Sequence, residues 1–331
     1  MRVGITYNLK KHILQGPPDA EAEFDDADTI LALRAALEAA GHTVEDFEAE
    51  EDLPLRLLRQ RPDIVFNIAE GSAGRGRESH VPALLSFLGI PFTGSDETAM
   101  CIAMDKALTK RLVASCAVPT PGFRVVKDVA DLSNLSFTQP VIVKPNTEGS
   151  SKGITHLSIA MDEVGLREIV AEKVSVYRQE MIVETYVPGR EFTVGLLGNG
   201  DGLRIFPPME ILFLDQTRPV YSYDVKREFR KYVRYECPAD LDARLTDEIR
   251  SAAETVYRVL GCKDLARVDF RLSPEGRLYF IEINPLPGLA PDYSDLPILA
   301  SRCGMDYPSL IRTILDSALT RYGLTTQGGQ D

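Results

Sequence analysis

The fold of this chain is decided by Ala266-Arg267-Val268-Asp269-Phe270 and by Tyr279-Phe280-Ile281-Glu282-Ile283-Asn284-Pro285, which a Ser273-Pro274-Glu275-Gly276 turn connects. Two alternating apolar and polar runs on either side of a proline-glycine turn predict a β-hairpin. If the turn has four residues, Leu272 pairs with Arg277. This register places Arg267 opposite Glu282, with Asp269 on the diagonal.

The two faces of this hairpin have different compositions. Strand side chains alternate, so Arg267 and Asp269 share one face and Glu282 and Asn284 extend it, while the opposite face is apolar. The predicted core face consists of Val268, Phe270, Ile281 and Ile283. Asp269, Glu282 and Asn284 form an all-oxygen ligand set suited to Mg²⁺. The alternative is a surface hairpin whose charges form cross-strand ion pairs.

Composition narrows the class of protein. The 331 residues, 44% of them hydrophobic, suffice for two or three domains. A net charge of −12 and a pI near 5.0 argue against nucleic-acid and anionic-membrane partners. The five cysteines are scattered and never form a CxxC pair, and no apolar run approaches the ~20 residues of a membrane span. We expect a cytoplasmic protein.

The order of predicted elements indicates an α/β (α+β) fold. The first hundred residues alternate strands at 2–7, 43–48 and 63–68 with helices at 26–40 and 79–88, which is typical of parallel βαβ units. A second unit has helices at 105–116 and 162–173 and strands at 141–145 and 181–184. The third has strands at 191–198 and 204–212, the hairpin, and helices at 242–260 and 306–322.

A glycine-serine loop at 146–154 follows the buried strand that carries Lys144. Glycines let backbone N–H groups approach an anion closely, so such a loop can cradle phosphate oxygens. The alternative is an ordinary β-turn. Lys144 favours the phosphate site, because a lysine within an apolar strand needs an anionic partner.

In these motifs the sequence resembles the ATP-grasp superfamily and, within it, the D-alanine–D-alanine ligases. The resemblance implies an ATP-grasp fold with an N-terminal Rossmann-like domain at 1–95, a central subdomain at 96–184 and a C-terminal subdomain at 185–331. The matching segments occur in the family's order and are Asp63–Glu70, Leu88–Ser95, Ala103–Lys106 with Thr109–Lys110, Val143–Gly153, Val183–Thr193, Tyr221–Lys226 and Ala266–Gly288.

The resemblance also implies an ATP site. Lys106 and Lys144 would contact the phosphates, the ribose would meet Glu191, and the adenine would be bordered by Glu184, Tyr186 and Val187. The loop closing over the phosphates would contribute Glu148, Gly149, Ser150, Ser151 and Gly153. Two Mg²⁺ ions would be held by Asp269, Glu282 and Asn284, in agreement with the strand-face argument.

By the same resemblance, the catalytic groups would be Arg267 and the backbone at Gly288 as oxyanion donors, with Lys226 and Ser150 assisting. Each role suits its chemistry, because a tetrahedral intermediate needs fixed donors and ATP needs its charge neutralised. A substrate carboxylate would attack the γ-phosphate of ATP, and an amine would then displace phosphate to form an amide.

The chain departs from the family where the substrates would bind. The ligases carry histidine-glycine where this chain has Glu70-Gly71, and tyrosine where it has Arg227. Ser294 is the expected contact for the second substrate, within a remodelled segment. Glu23 or Asp25 would hold the first substrate's amine, although acidic residues before a helix also stabilise its N-terminus without any ligand.

We therefore predict an ATP- and Mg²⁺-dependent carboxylate–amine ligase that acts on small amino-acid-like substrates other than two D-alanines. The family implies a homodimer. The alternatives are the housekeeping D-alanine–D-alanine ligase, an intramolecular cyclase that uses the same acyl phosphate, and an inactive nucleotide-binding protein. Joint retention of the lysines, the arginine and the metal ligands argues against the inactive protein.

Overall fold

The described part of the chain folds into three β-sheets surrounded by helices. The structure is a computed structural model that describes residues 1–11, 19–134, 140–149, 152–215 and 221–324. The three sheets follow one another along the chain, and the last strand of the central sheet ends at Thr185, one residue beyond the boundary predicted at 184. The division of the chain at residues 95 and 184 stays a prediction. In the described ranges, no helix is long and apolar enough to cross a membrane.

The N-terminal sheet is parallel, with strand order β2-β1-β3. Asn8 lies beyond the carboxyl end of the central strand, and its Oδ1 accepts a hydrogen bond from Gly71 N at 2.9 Å. The loops that follow β1 and β3 therefore meet at one sheet edge, where ligands of such sheets bind. The elements are β1 (Arg2–Tyr7), α1 (Ala27–Ala39), β2 (Thr43–Glu48), α2 (Leu53–Gln60), β3 (Ile64–Asn67) and α3 (His80–Leu88).

The central sheet is antiparallel, with order β4-β7-β5-β6. Lys144 lies on β5 and Glu184 on β7, in two strands that pair directly. The adjacent strands therefore bring the two charges to one side of the sheet. The elements are α4 (Glu97–Met104), α5 (Lys106–Ser115), β4 (Phe123–Val126), β5 (Val141–Pro145), β6 (Ile159–Ala160), α6 (Glu163–Tyr177) and β7 (Met181–Thr185).

The C-terminal sheet has the order β11-β10-β8-β12-β13, with β9 pairing with β8. The single strand predicted at 204–212 is wrong: it is divided into two strands, because Pro207 and Pro208 cannot donate to a ladder. The elements are β8 (Arg190–Leu197), β9 (Arg204–Ile205), β10 (Met209–Phe213), α7 (Tyr223–Arg227), α8 (Phe229–Tyr232), β11 (Val233–Glu236), α9 (Ala243–Val259), β12 (Leu265–Leu272), β13 (Leu278–Asn284), α10 (Asp295–Arg302) and α11 (Tyr307–Arg321).

The predicted hairpin is present as β12 and β13, but its register was wrong. Leu272 pairs with Leu278, and Asp269 pairs with Glu282. Ile281 is an extra residue at a bulge, because Phe270 already pairs with Phe280. Ile281 consequently faces the neighbouring cleft rather than the core, contrary to the strict alternation predicted from the sequence.

The first and last parts of the chain share a core. Residues of β1 and α1 are buried together with α11 in a single apolar cluster. Asp264, which is fully buried, accepts hydrogen bonds from Gly94 N at 2.8 Å and from Arg321 Nη2 at 2.7 Å. These contacts fix the N-terminal sheet against the C-terminal one, so the ligand edge of β1 and β3 faces the hairpin.

Candidate active site

A cleft between the central and C-terminal sheets is lined by charged groups from both. It contains seven of the residues predicted for nucleotide and metal, together with Arg267. The seven are Lys144, Glu184, Tyr186, Val187, Glu191, Asp269 and Glu282. The structure therefore brings together residues that are up to 138 positions apart, from 144 to 282, in one place.

Glu184 is held by two lysines. Its Oε2 lies 2.8 Å from Lys110 Nζ and its Oε1 3.4 Å from Lys144 Nζ. Burial alone would raise the pKa of Glu184, but the two ammonium groups outweigh burial and lower it. Burial lowers the pKa of Lys110 to about 8 despite Glu184. Lys110 also donates to Ile281 O at 2.9 Å, which fixes the bulge.

Lys110 is a site residue that the sequence analysis did not assign. The sequence shows it one turn after Lys106 on α5, where it could equally be a surface lysine. Only the tertiary structure shows that it is fully buried beneath Glu184. A lysine in such a position stabilises a buried carboxylate that would otherwise be unpaired.

Glu191 faces the same cleft from β8. Its Oε2 lies 3.6 Å from Arg271 Nη2, which is also next to the Tyr186 ring. Burial raises the pKa of Glu191 to about 7, against the effect of Arg271. A carboxyl group with this pKa can accept or donate a hydrogen bond to a neutral hydroxyl-bearing ligand near neutral pH.

The three predicted metal ligands converge at the bulged hairpin. Asp269 pairs across the strands with Glu282, and Asn284 Nδ2 donates to Asp269 Oδ2 at 3.2 Å. Burial alone would raise the pKa of Glu282, but four nearby cations outweigh burial and lower it to about 2. The cations are Lys106, Lys144, Arg267 and Lys226. Two carboxylates and an amide, with one carboxylate ionised at all working pH values, fit Mg²⁺ chemically.

Arg267 is a buried arginine at the junction of two cavities. Its Nε and Nη2 donate to Asp269 at 3.1 and 3.0 Å, and its Nη1 lies 3.4 Å from Asp295 Oδ2. Burial opposes the charge of Arg267, but the two aspartates outweigh burial and raise its pKa. The guanidinium is thus permanently charged and fixed in orientation.

Asp295 is the second residue that the sequence analysis missed. Its side chain is 1% exposed, and its Oδ1 accepts hydrogen bonds from Tyr221 at 3.0 Å and from Tyr235 at 2.8 Å. Tyr221 and Tyr235 both belong to the segment 213–235, whose polar composition predicts a lid over the site. In the sequence, Asp295 follows Ser294 at a helix start, where an aspartate is expected without any site.

A second cavity lies between the N-terminal sheet edge and the hairpin. It contains every residue predicted for substrate, namely Glu23, Asp25, Glu70, Arg227 and Ser294. It also contains Lys106, Glu148, Gly149, Lys226, Arg267, Glu282, Asn284 and Gly288. The cleft and this cavity therefore meet at Arg267 and Glu282.

The predicted phosphate loop contacts the N-terminal segment. Gly149 N donates to Glu23 Oε1 at 2.7 Å, and Gly153 N donates to Asp19 Oδ2 at 2.7 Å. Gly153 has a φ of +72°, and a Cβ there would meet Pro145 at 2.6 Å, so glycine is required. The structure brings Gly153 into neither cavity. Ser150 and Ser151 lie outside the described residues.

Arg77 is the third residue that was not predicted. It is 5% exposed and lies between Glu23 Oε2 at 2.7 Å and Glu148 Oε2 at 3.0 Å. Its Nη1 also donates to Thr147 O at 3.0 Å. Arg77 thereby ties the loop after β3 to the phosphate loop. The sequence shows two arginines and a glutamate in the loop 72–80, but it does not show which residues Arg77 contacts.

At the opposite wall, Gly288 and Ser294 lie in contact. A Cβ on Gly288 would meet Ser294 Oγ at 2.8 Å, and Ser294 Oγ accepts a hydrogen bond from Ala290 N at 3.1 Å. The missing side chain at Gly288 leaves room for Ser294, and both residues line the second cavity. Lys226 and Arg227, from α7, line the same cavity.

Comparisons with known proteins agree with this architecture. Residues 119–316 match the family model described as the D-ala D-ala ligase C-terminus. A D-alanine–D-alanine ligase of Gloeobacter violaceus is 37% identical over 297 residues, covering 87% of this chain and 92% of the ligase. The protein y4sG of Sinorhizobium fredii is 34% identical over 315 residues, covering 92% of this chain and 91% of y4sG.

Among solved structures, the D-alanine–D-alanine ligase of Bacillus anthracis complexed with ATP superposes with a TM-score of 0.73 at 24% identity. The match covers 98% of this chain and 99% of the ligase. The ATP-grasp fold predicted from the sequence motifs is thereby confirmed.

Proposed function

The chain belongs to the D-alanine–D-alanine ligase family, and we propose that it applies the ligation chemistry of that family to substrates other than two D-alanines. It is an ATP-dependent ligase that forms a carbon–nitrogen bond between small molecules. The observation that carries the substrate proposal is the pair of charged groups, Glu70 and Arg227, in the single cavity that also holds Arg267.

We assign the cleft to ATP. Glu184 would meet the adenine together with Tyr186 and the backbone of Val187, and Glu191 would meet the ribose. Lys144 and Lys106 would contact the phosphates, where their charge is most useful. Lys106 supports this assignment by its position, because its Nζ contacts Glu148 O and lies 3.6 Å from Glu282.

Asp269, Glu282 and Asn284 would hold two Mg²⁺ ions. When bound, Mg²⁺ neutralises the charge that develops on the transferring phosphoryl group. The protein contributes a preformed ligand set, because Thr193 Oγ1 donates to Asp269 Oδ1 at 2.6 Å and Asn284 holds the other oxygen.

In the first step, the carboxylate of one substrate attacks the γ-phosphate of ATP, forming an acyl phosphate and releasing ADP. In the second, the amine of the other substrate attacks the acyl carbon, and phosphate and a proton leave as the amide forms. Arg267 and the backbone N–H of Gly288 would stabilise the tetrahedral oxyanion. Lys226 would hold the phosphate, and Ser150 would assist from the loop.

Substrate choice follows from the charges in the cavity. Glu70 is half-buried in this cavity, whereas the Arg227 side chain is 58% exposed and lies 3.6 Å from Glu228 Oε1. A site with charged groups favours ligands that match them over ligands that do not. When two D-alanines are joined, one carboxylate and one amine react, and the remaining ammonium and carboxylate are the groups expected at Glu23 or Asp25 and at Ser294. D-alanine therefore offers no further charged group to Glu70 or Arg227. We propose that at least one substrate carries a further charged group that meets one of them, and that Ser294 contacts the second substrate.

The test is to incubate the protein with ATP, Mg²⁺ and pooled L- and D-amino acids, follow phosphate release and identify the product by mass. A product other than D-alanyl-D-alanine is expected. Efficient formation of D-alanyl-D-alanine at millimolar D-alanine, at a rate that Arg227→Tyr does not change, would contradict the proposal and favour the housekeeping D-alanine–D-alanine ligase. No phosphate release with any acceptor would favour a purely nucleotide-binding protein.

We further propose a cytoplasmic homodimer, from the family resemblance and the acidic composition. Light scattering at micromolar concentration tests the assembly. A mass of 36.6 kDa in solution would contradict it, because this is the mass of one chain.

A further inference from the structure

Carboxylates are concentrated on the side of the substrate cavity that the N-terminal domain forms. Glu23, Glu70 and Glu78 place carboxylate oxygens within 4.8 Å of one another, and Asp25 lines the same cavity. We call Asp25, Glu70 and Glu78 the acidic wall. The opposite side carries Arg267 and Arg227.

Glu23 does not contribute free charge to this wall. Arg77 Nη2 lies 2.7 Å from Glu23 Oε2 and 3.0 Å from Glu148 Oε2. Lys152 Nζ lies 3.6 Å from Glu23 Oε2 and 2.7 Å from Glu148 Oε2. Two cations thus balance two carboxylates. The charge that remains uncompensated in the cavity comes from the acidic wall.

Glu78 is the most informative member of the wall. It is 8% exposed, lines the cavity and has no hydrogen bond or ion pair with any residue in the described ranges. Glu70 is half-buried, lines the same cavity and likewise has no hydrogen bond or ion pair with another residue in those ranges, whereas Asp25 is hydrogen-bonded to Thr29. Lys10, the cation beside Asp25, is paired with Asp26 at 2.8 Å. A buried carboxylate without a partner is costly unless a ligand supplies one.

The electrostatics agree with this geometry. Burial and then the neighbouring Glu23 raise the pKa of Glu78 to about 7, although Arg77 and Lys106 act in the opposite direction. Burial and the surrounding carboxylates raise the pKa of Glu70. Burial raises the pKa of Asp25 to about 7. In the absence of a ligand the wall carries more carboxyl groups than its cations can keep ionised.

We infer that the first substrate is a dicationic amino acid, whose α-ammonium and second amino or guanidino group both contact the acidic wall. This inference rests on the proposed function. One ammonium would meet only part of the wall, in which Glu78 is buried and Glu70 and Asp25 are half-buried, whereas two cationic groups match Glu70 and Glu78 together. The α-carboxylate of such a substrate would point toward Arg267, where phosphoryl transfer takes place.

A metal ion explains the wall less well. Glu23, the third oxygen donor of the cluster, is already occupied by Arg77 Nη2 and by Gly149 N, each at 2.7 Å. A divalent cation would therefore lie beside a guanidinium that is itself buried. Organic cations suit the wall better, because they donate directional hydrogen bonds to separate carboxylates.

The test compares basic amino acids with isosteres that lack the second cation. Lysine, ornithine and arginine, in both L and D forms, are set against norleucine and norvaline, with ATP and Mg²⁺ present. We expect kcat/KM for phosphate release to be at least tenfold higher with a basic amino acid than with its uncharged isostere. We also expect the basic amino acid to bind more tightly than the isostere in calorimetry with a non-hydrolysable ATP analogue. Equal rates and equal binding for lysine and norleucine overturn the inference.

Variants assign the preference to the wall. Glu78→Gln and Glu70→Gln should each reduce the preference for the basic amino acid by about tenfold or more. The matched control is Asp28→Asn, an exposed carboxylate in the first turn of α1, which should leave it unchanged. The comparison of lysine with norleucine in the unaltered protein needs no variant, so misfolding of a variant leaves the test intact.

The outcomes separate the two proposals. Ligation of acidic amino acids, without a preference for basic ones, contradicts the inference and keeps the proposed function. Ligation of neutral amino acids alone contradicts both the inference and the proposed charged substrate, and keeps only the carbon–nitrogen ligation. Exclusive formation of D-alanyl-D-alanine contradicts both. Mn²⁺ binding without nucleotide, followed by magnetic resonance and abolished by Glu78→Gln, would identify a metal site and also overturn the inference.

Discussion

Arg267 and Asp295 form a buried ion pair, with Nη1 and Oδ2 3.4 Å apart and side chains that are 7% and 1% exposed. Asp295 also accepts hydrogen bonds from Tyr221 and Tyr235, whose hydroxyl oxygens are 2.5 Å apart. The arginine that we assign to the oxyanion is therefore held by an aspartate that also binds two tyrosines of the segment 213–235.

Asp295→Asn should lower kcat about tenfold while the KM for ATP changes little, because the variant keeps the side-chain volume but removes the charge that orients Arg267. Arg267→Ala should lower kcat further, by about 10²–10³. Steady-state kinetics separate the two parameters. Asp316→Asn, on an exposed site of α11, is the control. Unchanged turnover in folded Arg267→Ala would remove its assigned role.

Lys144→Ala and Lys106→Ala should weaken nucleotide binding, because each removes a cation that we place at the phosphates. Calorimetry with a non-hydrolysable ATP analogue measures the change, which we expect to be about tenfold or more for loss of a charge-assisted contact. Lys127→Ala is the matched control, since that side chain is 76% exposed. Equal affinity in all three variants would place the phosphates elsewhere.

Lys110→Met should destabilise the fold by about 3–5 kcal/mol, because it leaves Glu184 buried with only the more distant Lys144. The double variant Lys110→Met/Glu184→Leu should recover part of this loss, since no buried charge is then left unpaired. Urea denaturation measures the free energy of unfolding. If the double variant is as unstable as the sum of its single variants, the two residues do not act as a pair.

Glu78→Gln should stabilise the ligand-free protein at pH 8 but not at pH 5. The pKa of Glu78 is raised to about 7 in the folded state, so folding favours its protonated form. Its contribution to stability is therefore lost as the pH rises from about 4.3, the pKa of an unfolded glutamate, through about 7, and amounts to at most about 4 kcal/mol. Thermal melting across this range tests the sign. A larger gain at pH 5 than at pH 8 would contradict it.

The sequence was sufficient for the elements that depend on local pattern. The apolar run of β5 predicted its bounds at 141–145, and the alternation of strands and helices in the first hundred residues predicted β2 at 43–48. The ordered motifs likewise predicted the family. The ligand set Asp269, Glu282 and Asn284 was predicted because all three lie within one hairpin.

The sequence by itself did not determine the partners that come from distant segments. Lys110 meets Glu184, Arg77 meets Glu23 and Arg267 meets Asp295 across 74, 54 and 28 positions respectively. The sequence does not show whether a charged side chain is solvated or buried, because its surroundings are formed by other helices and strands. The bulge at Ile281 also depends on tertiary structure. A strand alternates strictly by default, and the position at which this alternation is interrupted is set by the packing of Phe280 in the core and by the hydrogen bond from Lys110 Nζ to Ile281 O. Local sequence pattern thus determined the strands and helices and the types of functional side chain that they carry. Tertiary packing decided which charged side chains are paired with one another, which remain available to a ligand, and how each is oriented.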